Sequence, residues 1–72
     1  MSSVHSERYR EFLSRLKRAR RDAGMTQAQA ARALRRPQSF VSKCESGERR
    51  VDVVELETLA RIYKKPIGFF LP

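Results

Sequence analysis

The stretch GMTQAQAARALRRPQSFVSKCESG, residues 24–47, contains two short helical patterns separated by a break. Thr26 and Gln29 lie three residues apart, the spacing at which a hydroxyl and an amide can each satisfy an unpaired backbone N–H group at a helix start. We therefore predict an alanine-rich helix from Gln27 to about Leu34.

The break between the two patterns is caused by a proline. Pro37 fixes its own φ and disfavours helical geometry at Arg36, so the chain must turn there before a second helix that ends near Gly47. A helix, a tight turn and a short helix are thus predicted over about residues 27–46. This arrangement lets one helix lie in the major groove of DNA while its partner crosses the phosphate backbone.

Upstream of this motif, apolar residues recur at steps of three or four. The spacing predicts an amphipathic first helix from about Ser6 to Ala23, which Gly24 ends. Its apolar positions are Tyr9, Phe12, Leu13, Leu16 and Ala23.

Downstream of the motif, Asp52 and Glu55 have the spacing of a second capped helix start. A fourth helix is predicted, which Pro66 ends. Its apolar face is expected to comprise Val53, Leu56, Leu59, Ala60 and Tyr63. The apolar ending from Ile67 to Leu71 is expected to form a last helical turn or two that packs back on the core.

Size and charge restrict the function. With 72 residues, the chain has room for one small domain, predicted to span residues 6–72 after a flexible arm at residues 1–5. The 16 Lys and Arg residues outnumber the 8 Asp and Glu residues, giving a net charge of +8. A basic chain of this kind favours a polyanionic partner, either nucleic acid or an anionic membrane surface.

Cysteine and histidine content argue against several other classes. Cys44 is the single cysteine, so no internal disulfide can form, and no apolar run suits a membrane span or a secretion signal. A cytoplasmic protein is the simplest expectation. His5 is the single histidine and the carboxylates are not clustered, so neither a metal site, a cofactor nor a nucleophile and base pair is expected. An enzyme is therefore the least favoured class.

Polar side chains at the start of the third helix suit the reading of DNA bases. Gln38 has the donor and acceptor groups that pair with an adenine edge, and Lys43 can reach the acceptors of guanine. Serine, as at Ser39 and Ser42, can pair with several bases. More positive charge at these places would raise affinity without reading sequence.

Residues Leu16 to Leu71 resemble the lambda repressor and Cro type of helix-turn-helix domain, the XRE family. The resemblance rests on Arg20, on GMTQAQAARAL and SFVSKCESG at residues 24–34 and 39–47, and on the apolar fourth helix. It implies an all-α, compact fold of four to five helices. It also implies a sequence-specific transcriptional regulator, expected to be a repressor that binds double-stranded DNA at a two-fold symmetric operator as a homodimer.

The resemblance also assigns roles to residues. Its base-reading positions match Gln38, Ser39, Ser42 and Lys43, although the two serines could instead cap or solvate the helix. Its phosphate-binding positions match Gln27, Ser46, Arg49 and Arg50, and Arg36 is added because of its charge and position. Both Gln27 and the arginines could also be merely solvated. The matching structural pair is Arg20 with Glu45.

Some positions in the motif are less simple. Val41 and Cys44 match inward positions and are expected in the core, whereas Phe40 could pack beneath the helix or touch sugar and thymine methyl groups. Arg35 stands where the family most often has glycine. If Arg35 adopts a positive φ, the turn is strained by roughly 1 to 2 kcal/mol relative to glycine.

The terminal apolar residues leave a choice. Phe69, Phe70 and Leu71 could form the contact between two subunits, or all three could fold inward. A protein partner is the basis of the main alternative function, an antitoxin or a restriction-modification controller subunit. Non-specific coating of nucleic acid and membrane binding by the first helix are weaker alternatives, because the third helix is polar and the first helix needs its apolar face for the core.

Overall fold

The computed structural model describes residues 6–72, so the predicted arm at residues 1–5 lies outside the described residues. The described chain contains four α-helices followed by one short 3₁₀ turn, and it contains no strand. The elements are α1 (Glu7–Asp22), α2 (Gln27–Leu34), α3 (Gln38–Ser46), α4 (Val53–Tyr63) and the 3₁₀ turn (Ile67–Phe70). The predicted all-α fold class is confirmed.

Reciprocal side-chain caps are formed at the starts of α2 and α4. The Thr26 hydroxyl accepts a hydrogen bond from Gln29 N at 3.1 Å, and the Gln29 side chain accepts one from Thr26 N at 2.9 Å. Asp52 and Glu55 repeat this reciprocal arrangement with distances of 2.7 and 3.1 Å. Both pairs satisfy backbone donors that a helix start leaves free, so these two helices begin where the local sequence predicts.

The turn between α2 and α3 contains a left-handed residue that is not glycine. Arg35 has φ 59° and ψ 43°, and its N–H group bonds to the carbonyl of Arg32 at 3.1 Å. Arg36 N then bonds to Ala31 O at 3.0 Å, which satisfies the carbonyl groups at the end of α2. Arg35 therefore has the positive φ on which the expected strain depends.

Small side chains let α2 approach the other helices closely. Ala30 is 0% exposed and Ala31 is 3% exposed, and both belong to one continuous apolar core. Around them, α1, α3, α4 and the 3₁₀ turn contribute larger side chains. The main ones are Phe12, Leu13, Leu16, Phe40, Val41, Leu56, Leu59, Tyr63 and Phe70.

Two inferences about apolar residues need correction. Val53 is 75% exposed, so the expectation that it lies on the inward face of α4 is wrong; as the first residue of α4 it lines an open groove beside Ile67 and does not enter the core. Phe70 is fully buried, whereas Phe69 is half-buried and Leu71 is 55% exposed. The predicted subunit contact is therefore wrong for Phe70, because this side chain is already part of the core.

No helix within residues 6–72 is both long enough and apolar enough to cross a membrane.

Candidate nucleic-acid interface

Helix α3 separates its polar and apolar side chains onto two faces. The predicted base-reading residues Gln38, Ser39, Ser42 and Lys43 are all exposed. The opposite face is buried and consists of Phe40, Val41, Cys44 and Glu45. The structure therefore brings all four predicted residues onto one accessible surface, supported from behind by the core.

A chain of hydrogen bonds connects this surface to α1. Arg20 Nε donates to Glu45 Oε2 at 2.6 Å, and its Nη2 donates to Glu45 Oε1 at 3.1 Å. Gln27 Nε2 donates to the same Oε1 at 3.1 Å, and Gln38 Nε2 lies 3.5 Å from Gln27 Oε1. The first residue of α3 is thereby linked through the first residue of α2 to a buried ion pair.

The Arg20 and Glu45 pair is almost closed to solvent. Arg20 is 9% exposed and Glu45 is 4% exposed. The hydrogen bond that Arg20 donates to Glu45 raises the pKa of Arg20, an effect that burial partly opposes. Arg20 Nη1 also donates to Met25 O at 2.8 Å, so this one side chain fixes α3 and the segment before α2 against α1.

Gln27 lies deeper than the sequence predicts. It is half-buried, because its amide fills the space between Glu45 and Gln38. One of its two amide N–H groups and one acceptor site are used within the protein. The second N–H group has no hydrogen-bond acceptor within residues 6–72.

Phe40 is held between two arginines. The Arg36 guanidinium lies 4.3 Å from the centre of the Phe40 ring, and the Arg49 guanidinium lies 4.7 Å from it. Phe40 itself is 8% exposed, which resolves its two alternative placements in favour of packing beneath the helix. Each guanidinium gains an attraction to the ring face in addition to any charge contact.

Glu55 connects the same two arginines. Arg49 donates to both Glu55 oxygens at 2.8 Å, and Arg36 Nη2 lies 3.8 Å from Glu55 Oε2. The hydrogen bonds from Arg49 lower the pKa of Glu55. The guanidinium of Arg49 is thus bound to a carboxylate, whereas that of Arg36 makes a longer contact with the same carboxylate.

Hydrogen bonds between side chains and the backbone hold the loop after α3. Ser46 Oγ donates to Lys43 O and accepts from Glu48 N, each at 3.2 Å. Arg50 is exposed and its guanidinium lies 4.4 Å from the centre of the Tyr9 ring. The Tyr9 hydroxyl accepts from Val51 N at 3.1 Å, so α1 fixes the position of this basic loop.

Cys44 has no exposed thiol. It is 2% exposed, and burial raises the pKa of its thiol. A protonated, buried thiol is a poor nucleophile. Cys44 acts here as a small apolar side chain of the core.

Comparison with known proteins agrees with this geometry. The family model described as a helix-turn-helix domain matches residues 11–66. A solved structure, an XRE-family like protein from Pseudomonas syringae pv. tomato str. DC3000, superposes with a TM-score of 0.81 at 44% sequence identity. The chain belongs to the XRE-type helix-turn-helix family. The alignment covers 88% of this XRE-type chain and 77% of the Pseudomonas chain.

A search of curated protein sequences gave no match for this XRE-type domain. Family membership supports a DNA-binding regulator as its general function. The motif from α2 to α3, inferred from a capping box and a proline, lies inside the matched residues.

Proposed function

We propose that this XRE-type domain is a sequence-specific transcriptional regulator that represses by binding a two-fold symmetric operator as a homodimer. The observation that carries the proposal is the accessible polar face of α3, which lies opposite a fully buried face. In such a domain α3 lies in the major groove and α2 crosses the backbone. One α3 from each subunit would then read one half-site.

Among the residues of this face, Gln38 has the side chain best suited to pair with a base. Its Nε2 group has two N–H donors, and one of them points to Gln27 Oε1 at 3.5 Å. The other donor and the carbonyl oxygen remain for the two groups that adenine presents in the major groove. Gln27 therefore limits the orientations of the Gln38 amide before DNA is bound.

The remaining positions complete the surface. Lys43 is exposed and can reach guanine acceptors, and Ser39 and Ser42 can pair with several bases. Around them, Gln27, Ser46 and Arg50 are proposed to contact phosphates because they match the family pattern, and Arg36 because of its charge and position. For Arg49 a phosphate contact requires that it share its guanidinium with Glu55. The net charge of +8 would strengthen all of these contacts.

The second copy is proposed to bind through exposed apolar residues at the start of α4, in the 3₁₀ turn and just after it. Val53, Val54, Ile67 and Leu71 are between 44% and 75% exposed. The first three, with Glu57, line one shallow groove. An apolar patch of this kind on so small a protein commonly marks a protein contact, and a two-fold axis would place the patch against itself.

The same patch also supports the alternative function. An antitoxin or a restriction-modification controller subunit would use it to bind a different protein. Sedimentation of the pure protein distinguishes these cases, because self-association of the wild type and loss of it in a Val53→Ser, Val54→Ser double variant are expected only for the homodimer.

Selection of bound duplexes from a random pool tests the main proposal. We expect enrichment of an inverted repeat with half-site centres about 34 Å apart, bound on the order of a thousandfold more tightly than a scrambled duplex at physiological salt. Gln38→Ala and Lys43→Ala should each relax the preference at one base pair, whereas Arg61→Ala on α4 should not. A pool that shows no enrichment would overturn the proposal.

A further inference from the structure

The two exposed edges of α1 differ in charge arrangement. Successive residues of an α-helix are separated by about 100° around the axis, so Arg15 and Lys17 lie on opposite sides of the buried Leu16. On the Arg15 side, Arg15 pairs with Glu11 at 2.7 Å and donates to Phe69 O at 3.1 Å. That edge faces the 3₁₀ turn at the end of the chain.

The same edge has a second ion pair near the end of α1. Asp22 lies 3.1 Å from Lys65, just after α4. Positive and negative side chains are therefore interspersed along this edge.

The other edge faces the motif from α2 to α3, and from Arg10 onward it carries no carboxylate. Arg20 leans to this side and reaches Glu45 in α3. Beyond it lie Arg10, Lys17 and Arg21, which the spacings of seven and four residues place in one row. Within residues 6–72, none of these three cations has a carboxylate within ion-pair distance.

This row has a cost within the free protein. Like charges four residues apart, as at Lys17 and Arg21, destabilise a helix by a few tenths of a kcal/mol. On the opposite edge, ion pairs offset the repulsion between like charges. The row has no ion pair that would offset it. An uncompensated row that spans about 16 Å matches the length of several successive phosphates on a duplex.

We propose that the α3-facing edge of α1, formed by Arg10, Lys17 and Arg21, binds the phosphate backbone of the same duplex beside the bases that α3 reads. This proposal rests on DNA binding as the proposed function, and it extends the footprint to residues that no motif indicates. Because phosphate contacts carry no sequence information, the edge would add affinity and position the domain without changing base preference.

The test compares two triple variants that remove the same number of charges. One is Arg10→Gln, Lys17→Gln, Arg21→Gln. The control is Arg8→Gln, Arg61→Gln, Lys64→Asn, which removes exposed cations from the other side of α1 and from the end of α4. Each protein is titrated into a fluorescent 30-base-pair duplex of arbitrary sequence at several salt concentrations, after its thermal melting has been measured.

The slope of log affinity against log salt is the decisive quantity. It should become shallower by about 0.9 for each phosphate that the variant no longer neutralises, hence by about 2 to 3 in the edge variant and by less than about 1 in the control. Equal slopes in the two variants would overturn the proposal.

Because the duplex has arbitrary sequence, this result does not depend on an operator. A shallower slope in the edge variant together with an unenriched random pool would leave the phosphate-binding edge standing and remove only the specific regulator. Enrichment of an operator together with equal slopes in the two variants would leave the specific regulator standing and overturn only the phosphate-binding edge.

Discussion

Gln27 donates a hydrogen bond of 3.1 Å to Glu45, so the first residue of α2 is fixed to the carboxylate that also holds α1. Glu45 is 4% exposed. Its carboxylate accepts hydrogen bonds from the charged Arg20 and the polar Gln27 in place of water. The consequence is that the angles between the three helices and the position of the exposed face of α3 depend on one buried carboxylate.

Removal of Arg20 should be strongly destabilising. Arg20→Met leaves Glu45 charged and buried with only Gln27 as a side-chain partner, a change that commonly costs about 3 to 5 kcal/mol. Denaturant unfolding at neutral pH measures the loss. The double variant Arg20→Met, Glu45→Met should recover much of the stability, because no charge is then left unpaired. A loss below about 1 kcal/mol in the single variant would show that the pair is not closed to water.

Replacement of Arg35 by glycine should stabilise the domain. Its φ of 59° is unfavourable for a side chain with Cβ, and glycine removes about 1 kcal/mol of that strain. For a domain of this size the melting temperature should rise by about 4 to 8 °C. Arg32→Gly, in the last turn of α2, is the matched control and should lower it. An unchanged or lower melting temperature in Arg35→Gly would contradict strain at this turn.

Tyr63 should make the domain sensitive to alkaline pH. Its hydroxyl is buried without a hydrogen-bond partner within residues 6–72, and burial raises the pKa of Tyr63 to about 12 from 10.0. The unfolded chain ionises first, so stability is lost as pH rises from about 10 to about 12, by about 3 kcal/mol.

The Tyr63→Phe variant should lack this loss and should be at least as stable as the wild type at pH 7, since it removes an unsatisfied hydroxyl. Tyr9→Phe is the contrasting variant. It breaks the bond to Val51 N and should cost about 1 kcal/mol at neutral pH. Chemical unfolding at a series of pH values measures both, and parallel alkaline losses in the wild type and Tyr63→Phe would refute the assignment.

Glu55 should contribute stability that acid removes. The bonds from Arg49 lower the pKa of Glu55 below 4.5, so its contribution is fully present above that ordinary value and disappears as pH falls through the lowered one. Glu55→Gln should melt at a lower temperature at pH 7 and should show a weaker decline below about pH 4.5. Glu57→Gln, on the exposed side of the same helix, should match the wild type in both respects.

The sequence predicted the features that depend on residues close together in the chain. The capping boxes at Thr26 and Asp52 were predicted because their partners lie three residues away. A turn at Arg35 was predicted from Pro37 and the family pattern, but its left-handed conformation was stated only as a condition. These local interactions are formed within one or two helical turns and need no knowledge of packing.

Contacts between distant segments were not predictable in this way. Periodicity placed Val53 on the inward face of α4, but it cannot show where the covering elements end. The binding of Arg49 to Glu55 joins a loop to a helix and leaves no periodic signal. The Gln27 amide could be inferred as a phosphate ligand, yet its bond to Glu45 depends on how α2 and α3 meet.

The division of α3 into a buried and an exposed face has a consequence for evolution. The side chains of Ser39, Ser42 and Lys43 take no part in the core, so their replacement changes the exposed face of α3 and leaves the folding free energy almost untouched. Under the proposed function, gene duplication would therefore give relatives that recognise new operators after a few substitutions. Gln38 is the exception, because a replacement there also breaks its contact with Gln27, and its change should be the slowest of the four.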